Sequence, residues 1–203
     1  MMSYFEVFSL PQKLHIDTAA LEKQFYAQSR KLHPDRFASR PPAEQEEALR
    51  QSSLLNDAYR TLKDPVLRTQ YLLKLEGIEL EEQSKAATDA ARTSGVEKKQ
   101  VVPPELLEEV FELNMQLQEM KVAKQMGEDE PELRRDLMTA KDAFDARMVE
   151  TQAELEGLWN RWDMALESGD EVGKASARDA MVALLNKRSY LRNLVRDVNE
   201  ALE

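Results

Sequence analysis

The chain has 203 residues and no cysteine, which excludes disulfide bridges and thiolate metal sites. Its net charge is −10, and no apolar run approaches the roughly 20 residues that span a bilayer. Phosphate contacts need clustered Lys and Arg, so we expect neither nucleic acid nor a membrane as a partner.

The composition and the N-terminus indicate a fold class and a compartment. With 42% hydrophobic and 33% charged residues, the chain is typical of all-α bundles. The first residues lack a basic stretch followed by an apolar core, so no secretory signal is predicted. We therefore expect a cytoplasmic protein or, alternatively, the processed form of a mitochondrial matrix protein.

Residues 1–76 are predicted to form a first domain of four short helices. An apolar segment at residues 4–8 precedes a helix over residues 17–32, and two further helices open at Pro41-Pro42 and at Asp64-Pro65. The fourth helix has an apolar row at four-residue steps, consisting of Leu67, Tyr71 and Leu75. The predicted core of the domain is Phe5, Val7, Phe8, Leu21, Phe25, Leu32, Leu55, Tyr59, Leu62, Tyr71 and Leu72.

The tripeptide His33-Pro34-Asp35 lies between the second and third of these helices. Pro34 cannot continue a helix and moves the preceding residue out of the α region. A rigid turn therefore presents one imidazole and one carboxylate at the tip of a helical hairpin. By itself such a tripeptide is often only a turn whose Asp bonds its own backbone. Three basic residues near it form either a solvated face or a docking patch for an acidic partner, namely Arg30, Lys31 and Arg36.

The remainder of the chain is predicted to form a linker followed by a helical bundle. Residues 77–103 lack apolar periodicity and are predicted to be a linker, whereas residues 104–203 are predicted to form an antiparallel three-helix bundle with short turns. Alternating three- and four-residue steps predict the inward positions. These are Leu106, Val110, Leu113, Leu117 and Met120, then Leu133, Leu137, Ala140, Phe144, Met148, Thr151, Leu155, Leu158 and Trp162, and finally Leu184, Leu191, Val195, Val198 and Leu202.

The first bundle helix carries a second apolar row beside that seam. Leu107, Phe111 and Met115 follow one another at four-residue steps. One helix of a small bundle seldom needs two apolar faces, so this row either packs against the first domain or is an exposed patch for a partner.

Few residues in the chain could catalyse a reaction. The two histidines, His15 and His33, both lie outside the bundle, and no Ser nucleophile has an obvious base. The sequence contains neither a glycine-rich phosphate loop nor the Glu-x-x-His pairs of a di-metal bundle. We therefore expect a binding protein rather than an enzyme, without a cofactor or a metal.

Three segments, residues 4–11, 33–38 and 61–65, carry a resemblance to a known family, together with Arg68, residues 71–73 and Gly77. On these residues the first domain resembles a J-domain, specifically that of the HscB family of iron–sulfur co-chaperones. The resemblance implies that His33, Pro34 and Asp35 contact a DnaK- or HscA-type chaperone and promote its ATP hydrolysis. It also implies that basic residues of the preceding helix help to dock the chaperone, although Glu22 lies among them here.

On the first bundle helix, residues 106–113 match the segment with which the HscB family contacts the IscU-type iron–sulfur scaffold protein. The resemblance therefore implies scaffold-binding roles for Leu107, Phe111 and Glu112. Met115 stands where the family often has Glu. Residues 189–194 resemble the family's aromatic-Leu segment, which implies that Tyr190 lies at the partner face, with an ordinary bundle position as the alternative.

Together these features predict an L-shaped, two-domain co-chaperone that activates a chaperone through one domain and delivers the scaffold protein through the other. Two alternatives remain open at this point. The bundle could carry a different client, or the chain could be a structural coiled-coil protein that self-associates.

Overall fold

A computed structural model describes residues 2–78, 80 and 103–203, and for Pro34 only the backbone. These residues form seven α-helices and no strand, which confirms the predicted all-α class. None of the described helices is both long and apolar enough to cross a membrane. The predicted linker, residues 77–103, lies almost wholly outside the described residues. The helices are α1 (Tyr4–Val7), α2 (Thr18–Lys31), α3 (Pro42–Lys63), α4 (Pro65–Leu75), α5 (Leu107–Met126), α6 (Pro131–Ser168) and α7 (Glu171–Leu202), with 3₁₀ turns at Pro34–Arg36 and Pro104–Leu106.

The helices pack into two compact units. The first contains the described residues up to Leu80 together with Leu158–Asp179, which is the end of α6 and the start of α7. The second contains the described residues from 103 to Gly157 together with Ala180–Glu203. The division of the chain into functional domains at residues 76 and 104 follows sequence order and stays a prediction.

Side-chain caps open the helices of the first unit. Ser3 and Glu6 form a reciprocal capping box at α1, in which the Ser3 N–H donates to Glu6 at 2.6 Å and lowers the pKa of that carboxyl. Asp17 accepts from two N–H groups of the first turn of α2, and Asp64 caps α4. The prolines at the starts of α3 and α4 occupy positions whose N–H would lack a helical partner in any case.

Two aromatic stacks hold α1 to α4 and α2 to α3. Tyr4 and Tyr71 stack at 4.3 Å, and the Tyr4 N–H donates to the Tyr71 hydroxyl at 2.9 Å. Phe25 and Tyr59 stack at 4.1 Å. The predicted core residues that are fully buried are Phe5, Phe8, Leu21, Leu55, Leu62 and Leu72, while Val7, Phe25, Leu32, Tyr59 and Tyr71 are partly buried.

The buried face of α4 coincides only in part with its apolar row, of which Tyr71 is partly buried. Leu67 and Leu75 are exposed, and the buried residues are Arg68, Thr69, Leu72 and Leu73. The reason is Trp159 of α6, whose Nε1–H donates to the Thr69 hydroxyl at 2.9 Å and whose ring lies 4.7 Å from the Arg68 guanidinium. A polar pair is buried here because an indole supplies both an apolar cover and a hydrogen bond.

The loop before α2 is held by the same stretch of α6. The Asp163 carboxylate accepts the backbone N–H groups of Leu14 and His15, each at 2.9 Å, and lies 3.2 Å from Nδ1 of His15. The Trp162 Nε1–H donates to the carbonyl of Gln12 at 3.4 Å. Residues 158–179 thus complete the core of the first unit, which short-range patterns in the sequence did not predict.

The second unit is the predicted antiparallel three-helix bundle. Arg134, near the start of α6, donates to the carbonyl of Leu202 at the end of α7 at 3.0 Å, which shows that these helices run in opposite directions. Arg147 pairs with Glu109 at 2.7 Å and gives the same result for α5 and α6. The core cluster is Leu106, Val110, Leu113, Met120, Leu133, Leu137, Phe144, Tyr190, Leu191, Leu194 and Val198. The predicted seam is confirmed, except that its last two members on α6, Leu158 and Trp162, belong to the first unit.

Glycine and aspartate define the turns between the long helices. Gly127 and Gly169 follow α5 and α6 with φ of 70°, the left-handed conformation that favours glycine. The Asp170 carboxylate then accepts the N–H of Gly173 at 3.0 Å and caps the start of α7. Gly157 lies inside α6 without interrupting it.

Candidate functional site

The His-Pro-Asp turn is a short 3₁₀ helix that directly follows the end of α2. The Arg36 N–H donates to the carbonyl of His33 at 3.0 Å and closes the turn. The Arg36 guanidinium reaches back and donates to the carbonyl of Arg30 at 3.3 Å, near the end of α2 where helix carbonyls lack backbone partners. The position of the turn is therefore fixed by its own backbone and by one long basic side chain.

The turn exposes its two functional groups. The side chains of His33 and Asp35 are 58% and 88% exposed, with Nδ1 and the carboxylate 3.4 Å apart. The Asp35 N–H points at Nδ1 over the same distance, so Nδ1 faces the turn. Within the part of the chain that the structure describes, Nε2 of His33 forms no hydrogen bond. One ring nitrogen and one carboxylate are therefore available to a partner.

The predicted basic residues lie around this turn. Arg30, Lys31 and Arg36 are all exposed on the last turn of α2 and on the 3₁₀ helix. Glu22 does not neutralise them. Its carboxylate turns toward α3, where the Tyr59 hydroxyl donates to it at 2.9 Å and Lys63 lies at 3.4 Å, and these contacts lower the pKa of Glu22.

Two exposed residues extend this surface that were not identified from the sequence. Tyr26 and Lys23 precede Arg30 by four and seven residues and are exposed on α2, Tyr26 at 55%. Steps of four and seven residues keep side chains on one helical face. The signal was therefore present in the spacing, but an exposed tyrosine cannot be told from a core tyrosine by spacing alone.

The second apolar row of α5 is exposed. Leu107, Phe111 and Met115 are 56%, 69% and 60% exposed, and Glu112 beside them is exposed as well. The row lies on a face of α5 that points away from the buried seam. Each of its residues follows a seam residue by only one or two positions on a helix with 3.6 residues per turn. Of the two alternatives left open by the sequence, packing and exposure, the structure shows exposure.

Tyr190 does not lie on that exposed surface. It is 7% exposed and belongs to the bundle core next to Leu191 and Leu194. Burial removes its phenol from water and raises its pKa. The prediction that Tyr190 faces a partner is therefore corrected to the alternative, an ordinary bundle residue, because the helical period of α7 turns it inward.

The described residues contain no group of three or more His, Asp or Glu side chains arranged to hold a metal ion. What the geometry does provide is two exposed surfaces that are candidates for binding. One is small and charged, formed by His33, Asp35 and the surrounding basic residues. The other is apolar, formed by the exposed row of α5.

The family comparison bears on the first of these surfaces. Residues 3–71 match the DnaJ domain family, and the match includes the turn and all four helices around it except the end of α4. Fold and turn together make this part of the chain a J-domain.

The structural comparisons extend over the rest of the chain. The whole chain is 27% identical to chaperone HscB from Vibrio cholerae, with a TM-score of 0.56 and full coverage of both chains. It is 24% identical to the human co-chaperone protein HscB, with a TM-score of 0.57, over 98% of this chain and 81% of the human one. At 24% identity the human match concerns the fold alone. The predicted resemblance to HscB-type J-domain co-chaperones is thereby confirmed.

Proposed function

We propose that this protein is a co-chaperone of iron–sulfur cluster assembly that works in the cytoplasm by binding and not by catalysis. Its J-domain would stimulate the ATPase of a DnaK- or HscA-type chaperone. Its α5 surface would carry an IscU-type scaffold protein to that chaperone. The observation that carries the proposal is the exposed His33 and Asp35 pair on a backbone-fixed turn, in a chain that has the HscB fold along its length.

The chaperone contact follows from the charges of the turn. An ionised Asp35 accepts bidentate bonds from an arginine, and such charge-assisted bonds are about twice as strong as neutral ones. The basic residues Arg30, Lys31 and Arg36 would steer an acidic chaperone surface toward the turn. A ligand shifts the conformational equilibrium of its partner only if it binds one conformation more tightly than the other. The turn must therefore bind the hydrolysis-competent conformation of the chaperone more tightly than its other conformation.

The scaffold contact follows from the apolar row. Fully burying a leucine, phenylalanine or methionine side chain contributes roughly 1.5–3 kcal/mol, and Leu107, Phe111 and Met115 present most of their surface to solvent. Because the row lies on a regular helix, its side chains are already positioned before a partner binds, which lowers the entropic cost of association. Glu112 adds one exposed charge at the edge of the row.

The proposed chaperone contact is tested by measuring single-turnover ATP hydrolysis by a purified DnaK-type chaperone with saturating co-chaperone. His33→Gln should lower the stimulation by about tenfold or more, since bonds to charged groups are worth about 1.5–3 kcal/mol and 1.4 kcal/mol is a factor of ten. The matched control is Arg50→Gln, an exposed cation on α3 paired only with its neighbour Glu47 among the described residues. Undiminished stimulation by His33→Gln would overturn the assignment of the turn.

The proposed scaffold contact is tested by titration calorimetry with a purified IscU-type protein. The double variant Leu107→Ala, Phe111→Ala should bind far more weakly while its melting temperature stays near that of the wild type. Val149→Ala on α6 is the control, because Val149 is equally exposed in the same unit. If the double variant binds as tightly as the wild type, the scaffold protein does not bind through Leu107 and Phe111, and only the proposed chaperone contact stands.

A further inference from the structure

The exposed apolar row of α5 continues beyond Met115. Val122 and Met126 are 47% and 69% exposed and follow Met115 by seven and eleven residues, which correspond to about two and three helical turns. They therefore share the face of Phe111 and Met115. From Leu107 to Met126 the row covers about 28 Å of helix at 1.5 Å per residue.

The far end of this row lines a shallow groove of about 410 Å³. Its lining combines two apolar residues, Val122 and Ala123, with four polar or acidic ones, namely Gln118, Glu119, Glu128 and Glu130. Within the described residues, none of the three glutamates forms an ion pair with Lys or Arg. The groove therefore offers apolar surface beside negative charge that no described Lys or Arg neutralises.

These properties favour one kind of occupant. A lining that is part apolar and part acidic fits an apolar side chain flanked by Lys or Arg. A second copy of this chain is disfavoured, because residues 77–203 hold 17 Lys and Arg against 28 Asp and Glu and would repel one another. The client that binds Leu107, Phe111 and Met115 is favoured as the occupant for a second reason. A stable complex buries about 800 Å² on each partner, and these three side chains supply little of that area.

We propose that this distal groove receives a basic, apolar-tipped segment of the same client that binds Leu107, Phe111 and Met115. Val122 and Ala123 of the groove would contact its apolar tip, together with Met126 one turn beyond Val122 on the same helical face. Glu119, Glu128 and Glu130 would contact its basic residues. The inference rests on the proposed function, in which that client is the scaffold protein. It divides recognition into an apolar anchor at the start of α5 and a charge-selective contact at its end.

The test compares three variants in calorimetric titrations with a purified IscU-type scaffold protein at low and high salt. Val122→Ser with Met126→Ser should weaken binding about fivefold to thirtyfold, since two partly exposed apolar side chains are lost. Glu128→Gln with Glu130→Gln should mainly reduce the salt dependence of the affinity. Val149→Ser, on the exposed face of α6, should leave binding unchanged.

The double variant Leu107→Ala, Phe111→Ala is measured in parallel so that the two proposals fail separately. If it binds weakly while the Val122 and Met126 variant binds like the wild type, the distal groove has no role and this inference is overturned, although the proposed function stands. If the Leu107 and Phe111 variant binds normally, the proposed scaffold surface itself is wrong. A change in oligomeric state caused by Val122→Ser, Met126→Ser in sedimentation without the scaffold would assign the groove to a second copy and would also overturn the inference.

Discussion

The His-Pro-Asp turn and the exposed row of α5 are both candidate binding surfaces, but they arise in different ways. The turn depends on backbone geometry, since a proline ends a helix and hydrogen bonds from Arg36 close the turn and anchor it to α2. The row depends only on which side chains occupy the solvent face of a regular helix. A surface of the first kind fails when its supports move, whereas one of the second kind fails only when its own side chains change.

This difference also separates binding from stability. The side chains of His33 and Asp35 and of the row are exposed, so their removal should hardly affect the free energy of unfolding. The residues that hold the core of the first unit together are buried instead, and Trp159 and Trp162 among them come from α6. Variants of buried and exposed residues in the same helices therefore give the sharpest way to check the comparison.

The largest expected effect is on the support of the first unit. Trp159→Ala removes the cover over Arg68 and the hydrogen bond to Thr69 and should cost about 3–5 kcal/mol in urea unfolding. Met164→Ala, an exposed position five residues later on α6, should stay within about 0.5 kcal/mol of the wild type. A loss below about 1 kcal/mol for Trp159→Ala would mean that the end of α6 does not hold the J-domain together.

A second pair of variants compares the two faces of α5. Leu113→Ala empties a position in the bundle core and should cost about 2–5 kcal/mol, whereas Phe111→Ala on the opposite face should cost less than about 0.5 kcal/mol. Thermal unfolding followed by circular dichroism measures both. Equal losses for the two variants would show that Phe111 is packed and that the row is not a free surface.

The smallest expected effect concerns Glu22, which holds α2 to α3 beside the basic face. Its pKa is lowered by the Tyr59 hydroxyl first and by Lys63 second, so its stabilisation is fully present above its ordinary pKa of 4.5 and is lost as the pH falls through the lower folded-state value. Glu22→Gln should therefore flatten the acid limb of a plot of melting temperature against pH. A curve with the same acid limb as the wild type would show that the contact contributes nothing.

Much of the fold could be predicted from the sequence because its signals are local. Proline, Asp and Ser at helix starts and Gly at helix ends set the boundaries, and the periodic seam from Leu106 to Met120 identified the buried face of α5. The His-Pro-Asp turn was found for the same reason, since a proline constrains its immediate neighbours. The exposed row of α5 could be recognised because its residues did not fit the seam.

Other features depend on contacts between residues far apart in the chain and could not be predicted this way. The burial of Arg68 and Thr69 on α4 depends on Trp159, which lies about 90 positions further along the chain. Tyr190 is equally compatible with a partner face and a core by spacing, and only the packing of α7 shows that it is buried. The contact of Asp163 with the loop at Leu14 and His15 joins residues about 150 positions apart, and such a contact produces no repeating pattern in the sequence.

The central claim is that one chain holds two independent surfaces, one for the chaperone and one for its client. The most direct test measures both activities for His33→Gln and for Leu107→Ala, Phe111→Ala, namely stimulation of the chaperone ATPase without client and affinity for the scaffold protein. We expect His33→Gln to lose stimulation and keep scaffold affinity, and the double variant to keep stimulation and lose affinity. If either variant loses both activities while remaining folded, the two surfaces are not separate and the account is wrong.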